Sequence, residues 1–233
     1  MAPSAPAVLA CGMNVTAAAT TSPAPALATP AIRGSRLRLF FAKILLPGLV
    51  AALILPFAAA AVLTAAGWFS LPYELAVIDE AHPGLFRAHM MSGALALLLV
   101  PAAIVVRLRP RRHRMLGRAA ASAVLVAGLT ALPVALASVA LPPARAGFVA
   151  QAIVWLGLLG IGWRAIRRGD AAAHRRAMLC LAAVTSAALW LRPAMVLARL
   201  TDWPFDIAYA AIAWGAWLLP LTAAAALTSR RLA

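Results

Sequence analysis

Acidic side chains are scarce in this sequence: 6 Asp and Glu stand against 21 Lys and Arg, and charged residues of both signs make up only 12% of the 233. A soluble domain carries about a quarter charged residues, so a water-facing globular shell is excluded. Only two cysteines occur, Cys11 and Cys180. They are too few, and too unlike in setting, for a disulfide framework or a zinc site, and Cys180 reads as a small packing residue. The glycine-rich dinucleotide fingerprint, the phosphate-binding Gly-Lys-Ser/Thr, His-Glu-x-x-His and Gly-x-Ser-x-Gly are all missing. Their absence removes the recognisable nucleotide, zinc-protease and serine-hydrolase chemistries. The basic loops lack aromatic interleaving and no nucleic-acid module is visible, so the formal charge of +15 is not read as a nucleic-acid footprint.

What is present is apolar length. Hydrophobic residues make up 64% of the chain and the mean hydropathy is +0.92. Six runs, at 44–69, 88–106, 119–141, 147–166, 177–198 and 206–228, each approach the roughly 20 residues that cross a bilayer as a helix. Lipid leaves no partner for open backbone, so the expected fold is all-α: a polytopic six-helix transmembrane bundle over residues 33–233. Pro47, Pro56, Pro101, Pro133, Pro193 and Pro220 lie inside these runs and predict kinks. Residues 1–32 are rich in Ala, Pro, Ser and Thr without charge and read as a disordered leader. Within it, Val8 to Gly12 only faintly resembles a lipoprotein box, and Met13 offers an alternative start. Nearly all Lys and Arg fall in alternate connections, around Arg33–Lys43, Arg107–Arg118, Arg164–Arg176 and Arg230–Arg231, with only Arg87, Arg145 and Arg199 opposite. This asymmetry predicts a bacterial inner-membrane protein with both termini cytoplasmic. The tryptophans at 68, 163 and 203 read as belt anchors.

The two long basic connections resemble each other: Arg112-His113-Arg114-Met115-Leu116 in one, His174-Arg175-Arg176-Ala177-Met178-Leu179 in the other, each followed by an Ala-rich run. The similarity predicts tandem hairpins, spans two-three and four-five, flanked by spans one and six. With His89 in Arg87-Ala88-His89-Met90-Met91-Ser92-Gly93, Arg192 late in span five, and Tyr209, Trp214 and Trp217 in span six, the chain resembles a bacterial family of predicted membrane proteins known as domain of unknown function 2306. The resemblance covers roughly residues 40 to 228. Ala177 stands where a bulky aromatic would be expected, and the loop from Gly67 to Arg87 looks particular to this chain. The resemblance implies topology and candidate residues but no activity.

Arg192 is the costliest residue, because a charge inside a span costs at least about 2.5 kcal/mol. Either it snorkels to the headgroups, or it faces a polar pocket in the outer third with His89, Gln151, Asp206 and Tyr209. In the second reading Arg192 anchors an anion and His89 exchanges protons, as in a small-molecule transport or sensing protein. The small-polar face of His89, Ser92, Gly93 and Ala96, and that of Ala182, Thr185 and Arg192, serve close helix packing equally well. His113 and His174, with Arg114 and Arg175, share the cytoplasmic level. Two neutral imidazoles there are able to ligate haem, with arginines pairing the propionates, but both are read in Arg-dense loops at the hydrocarbon edge. The preferred reading is therefore helix capping and binding of anionic lipid headgroups, with no cofactor. Glu74, Asp79, Glu80 and His82 read as a solvated loop, not a metal site. A structural or accessory subunit, needing nothing beyond the helices, is the alternative function.

Overall fold

The computed structural model describes residues 46–71, 73–201 and 203–229, and among them every regular element is helical. The helices are α1 (Leu46–Ala65), α2 (Tyr73–Ala81), α3 (Pro83–Val105), α4 (Pro110–Ala137), α5 (Pro142–Arg167), α6 (Ala171–Thr185), α7 (Ala187–Leu200) and α8 (Phe205–Ser229). Six segments are long and apolar enough to cross a membrane: α1, α3, α4, α5, α6 together with α7, and α8. The leader, the basic stretch Arg33–Lys43 and the terminal Arg230 and Arg231 lie outside the described residues.

Local chemistry sets the helix ends. Pro83, Pro110 and Pro142 open α3, α4 and α5 at the first helical position, where a missing N–H costs nothing. Gly169, at φ +78°, closes α5: its N–H bonds the Ile166 carbonyl while Asp170 N–H reaches Ala165. This left-handed turn suits glycine. Asp170 then caps α6 by accepting from Ala173 N–H at 2.8 Å. These signals start α4 and α6 well before the apolar runs at 119 and 177. His113, Arg114, His174 and Arg175, expected in loops, therefore sit in the first turns of helices. The loop expected between Gly67 and Arg87 also contains a helix, α2, whose Ile78 is buried and whose Asp79 pairs with Arg87 at 3.3 Å. A hydropathy reading misses it because it is too short and too polar to span.

The fifth crossing is broken in its middle. Ser186 has ψ −9°, its hydroxyl donates to Ala183 O at 2.7 Å, and the neighbouring Thr185 hydroxyl donates to Leu181 O at 2.8 Å. Back-bonding hydroxyls of this kind bend helices. The break between α6 and α7 falls here, whereas Pro193 lies within α7.

The tandem hairpins are α3–α4 and α5–α6. The four helices close a ring, since α4 packs on α5 and α6 returns to α3; α4 and α6 stand diagonally across it. Outside the ring, α1 lies against α3, and α8 covers α5, α6 and α7. The core is built of small residues with a few large ones: Ala96, Ala120, Ala127 and Ala187 with Val124, Val184, Leu181, Trp155 and Trp217. Small faces let helix backbones approach where lipid offers no hydrophobic drive. Leu53, Leu95, Leu129, Ile153, Leu197 and Leu219 are exposed, an apolar exterior suited to acyl chains. Trp68, Trp163 and Trp203 are exposed as well.

Candidate functional site

The end of the ring opposite the arginine-rich turns holds most of the polar groups singled out above. His89, in the second turn of α3, is in register with the buried Ser92, Ala96, Val100 and Ala103 and so belongs to the inner stripe of its helix. Its Nδ1 lies 3.1 Å from the Ala127 carbonyl of α4 and 3.4 Å from the Thr130 hydroxyl. A carbonyl only accepts, so Nδ1 carries the proton, and in the neutral ring Nε2 is left as an acceptor. Thr130 spends its own proton on Val126 O at 2.7 Å. Nothing in the spacing of residues 89 and 130 marked Thr130 as this partner; only the α3–α4 packing does.

Gln151 is half-buried on α5, on the stripe of Ala144 and Trp155. Phe148, one turn before it, meets Tyr209 of α8 with ring centroids 5.7 Å apart, and Tyr209 also stacks on Phe205 at 5.5 Å. Gln151 and Tyr209 thus border one seam, α5 against α8, while His89 belongs to another, α3 against α4. Asp206 is exposed in the first turn of α8, where a carboxylate complements the helix dipole.

Arg192 is exposed on α7. Among the described residues the ion pair is Arg87–Asp79, and no carboxylate reaches Arg192. Its Cα–Cβ bond leans toward the N-terminus of α7, the side of the mid-span break, as every helical Cα–Cβ bond does. The following residue, Pro193, has no N–H to give the Leu189 carbonyl, which loosens the backbone at the same place.

The break itself is lined by polar groups, of which pattern reading had picked out only Thr185. Trp155 Nε1 donates to the Thr185 hydroxyl at 2.9 Å, both buried, and Trp190 Nε1 donates to the Ser186 hydroxyl at 3.1 Å. Trp217 is buried, and its Nε1 has no hydrogen-bond partner among the described residues. Trp155 carried no signal beyond being an aromatic in an apolar run, whereas Trp217 had already appeared among the family-like residues.

At the arginine-rich end, His113 Nδ1 lies 2.9 Å from the Ala103 carbonyl and His174 Nδ1 lies 2.9 Å from the Gly162 carbonyl. Each imidazole therefore ties the start of one hairpin arm to the end of the other, in the same way in both hairpins. Arg114 and Arg175 beside them are exposed. Among the described residues, no three His, Cys, Asp or Glu side chains gather as metal ligands.

A family model described as "Predicted membrane protein (DUF2306)" matches residues 86–228. The match contains all the candidate residues named above but begins after α1 and α2, later than the resemblance suggested. No curated protein and no solved structure matches the chain.

Proposed function

Because the chain belongs to the DUF2306 family of predicted membrane proteins, whose description names no activity, we propose a function from the site itself: the protein binds a small anion in its outer third, as a transport or sensing protein. The observation that carries this reading is Arg192, a guanidinium within a crossing and, among the described residues, without a carboxylate at ion-pair distance. A fixed cation in low dielectric is held at a cost of a few kcal/mol, and an anion arriving beside it recovers part of that cost. His89, with its proton held at Nδ1, offers Nε2 as the proton-exchanging group. Gln151 and Tyr209, on the separate α5–α8 seam, and Asp206, exposed on α8, add polar groups at the same end of the bundle.

The test is a thermal-shift screen of the purified protein in nanodiscs against inorganic phosphate, sulfate and small carboxylates. An anion is expected to raise the unfolding midpoint of the wild type. Arg192→Leu should abolish that shift while inserting normally, and His89→Asn should weaken it. An anion-induced shift fully retained by Arg192→Leu sinks the proposal.

Orientation belongs to the same reading. The arginine-rich turns after α3 and α5 lie on the cytoplasmic side of the inner membrane, and the His89 end faces outward, following the Lys and Arg asymmetry. Anionic headgroups of that leaflet are the partners of Arg114, Arg175 and their neighbours. Green fluorescent protein inserted after Gly169 should fluoresce, and alkaline phosphatase inserted after Val139 should be active. The opposite pattern at both positions would invert the bundle.

A further inference from the structure

The outer site makes no use of His113 and His174, although the fold prepares them alike. On α4, His113 is in helical register with Ala120, Val124 and Ala127, all buried. On α6, His174 is in register with Ala177, Leu181 and Val184, also buried. Both imidazoles therefore rise from core stripes, at one end of the ring, on helices that stand diagonally across it. Each is half-buried, and each gives its Nδ1 proton to a carbonyl of the preceding helix, Ala103 or Gly162, at 2.9 Å. That bond fixes ring orientation and tautomer and leaves Nε2 as the atom with a free lone pair. Among the described residues neither Nε2 has a protein partner, and neither is sealed off as a buried orphan. One turn inside His113, a Cβ built on Gly117 would meet nothing within 4 Å, so the space beside this stripe is open.

Two imidazoles, each oriented by a backbone carbonyl and set on opposite walls of an apolar ring, form the donor set that binds iron from both faces of a planar macrocycle. The chain has no Cys-x-x-Cys-His, so attachment would be non-covalent. Arg114 and Arg175, next in sequence to the two histidines, are exposed at the same end, where the carboxylates of a bound macrocycle would take the place of lipid headgroups. We propose that His113 and His174 are the axial ligands of a b-type haem seated across the arginine-rich end of the α3–α6 ring. This site is separate from the outer one and stands or falls independently of it.

Expression with added haem precursor and purification in mild detergent should yield a Soret band, a sharpened α band on reduction by dithionite, and one haem per chain. His113→Asn and His174→Asn are the informative variants, because an amide N–H can still donate to Ala103 or Gly162 while nothing replaces Nε2. Each should insert and stay monodisperse yet lose the bis-imidazole spectrum. Monodisperse wild type without a Soret band after reconstitution with haemin overturns the proposal, as do Asn variants with the wild-type spectrum. If either variant fails to accumulate, resonance Raman on the wild type decides: six-coordinate low-spin iron with two imidazoles supports the site, and any other ligand set overturns it.

Discussion

Trp155→Ala is expected to lower the unfolding free energy by about 3 kcal/mol, with a matching fall in the thermal midpoint in detergent. The figure sits at the low end of the range for truncating a buried tryptophan, because lipid and not water competes for the lost contacts. Trp155 is 7% exposed, packs in the main core with Leu181, Val184 and Trp217, and donates to Thr185 beside the mid-span break. Two further variants separate packing from hydrogen bonding. Trp155→Phe keeps most of the volume and leaves Thr185 bonded to Leu181 O, so it should cost about 1 kcal/mol. Thr185→Val keeps the shape but strands the Trp155 N–H, which should cost more, about 1–3 kcal/mol. Equal losses for Trp155→Phe and Trp155→Ala would mean that the indole's volume matters little and that the core around the break is looser than described.

Gly147→Leu should be nearly as damaging, for the opposite reason. A Cβ at Gly147 would already lie 3.1 Å from the Trp214 ring and 3.2 Å from the Ala213 backbone carbon, so a leucine must push α8 away from α5. The shift would also strain the bond from Trp214 Nε1 to Pro143 O, 3.0 Å long. Overpacking of this kind costs about 1–3 kcal/mol. Gly157 and Gly160 lie on the same helix but face open space. Gly157→Ala and Gly160→Ala should therefore be neutral or stabilising by about 0.5–1 kcal/mol, through helix propensity alone. Denaturant titration in mixed micelles ranks the three variants, and a Gly147→Leu midpoint equal to that of wild type would refute the close α5–α8 contact.

The candidate residues were legible as types and not as partners. Arg192 stands out in any hydropathy trace because lipid makes a charge expensive, and His89 stands out because it follows Arg87 at the mouth of an apolar run. Neither position reveals that His89 meets Ala127 and Thr130, 38 and 41 residues away. The five residues expected around one pocket are distributed by the packing: His89 on the α3–α4 seam, Gln151 and Tyr209 on the α5–α8 seam, and Arg192 and Asp206 exposed. The histidines at 113 and 174 were placed in loops because apolar length marks hydrocarbon, whereas Pro110 and the Asp170 cap mark where the helices begin.

Composition and run length determined that the chain crosses a membrane as helices and how many crossings it makes, because solvent transfer acts on each segment independently of its neighbours, and the likeness of the two His-Arg connections marked its middle as two similar hairpins. The closure of α3–α6 into a ring, the break at Ser186, the short helix α2 and the tethering of three imidazoles to carbonyls of adjacent helices were decided by tertiary structure. Each depends on which small faces meet and at what height, and in lipid that choice is made by packing and hydrogen bonds between helices, which no single segment encodes.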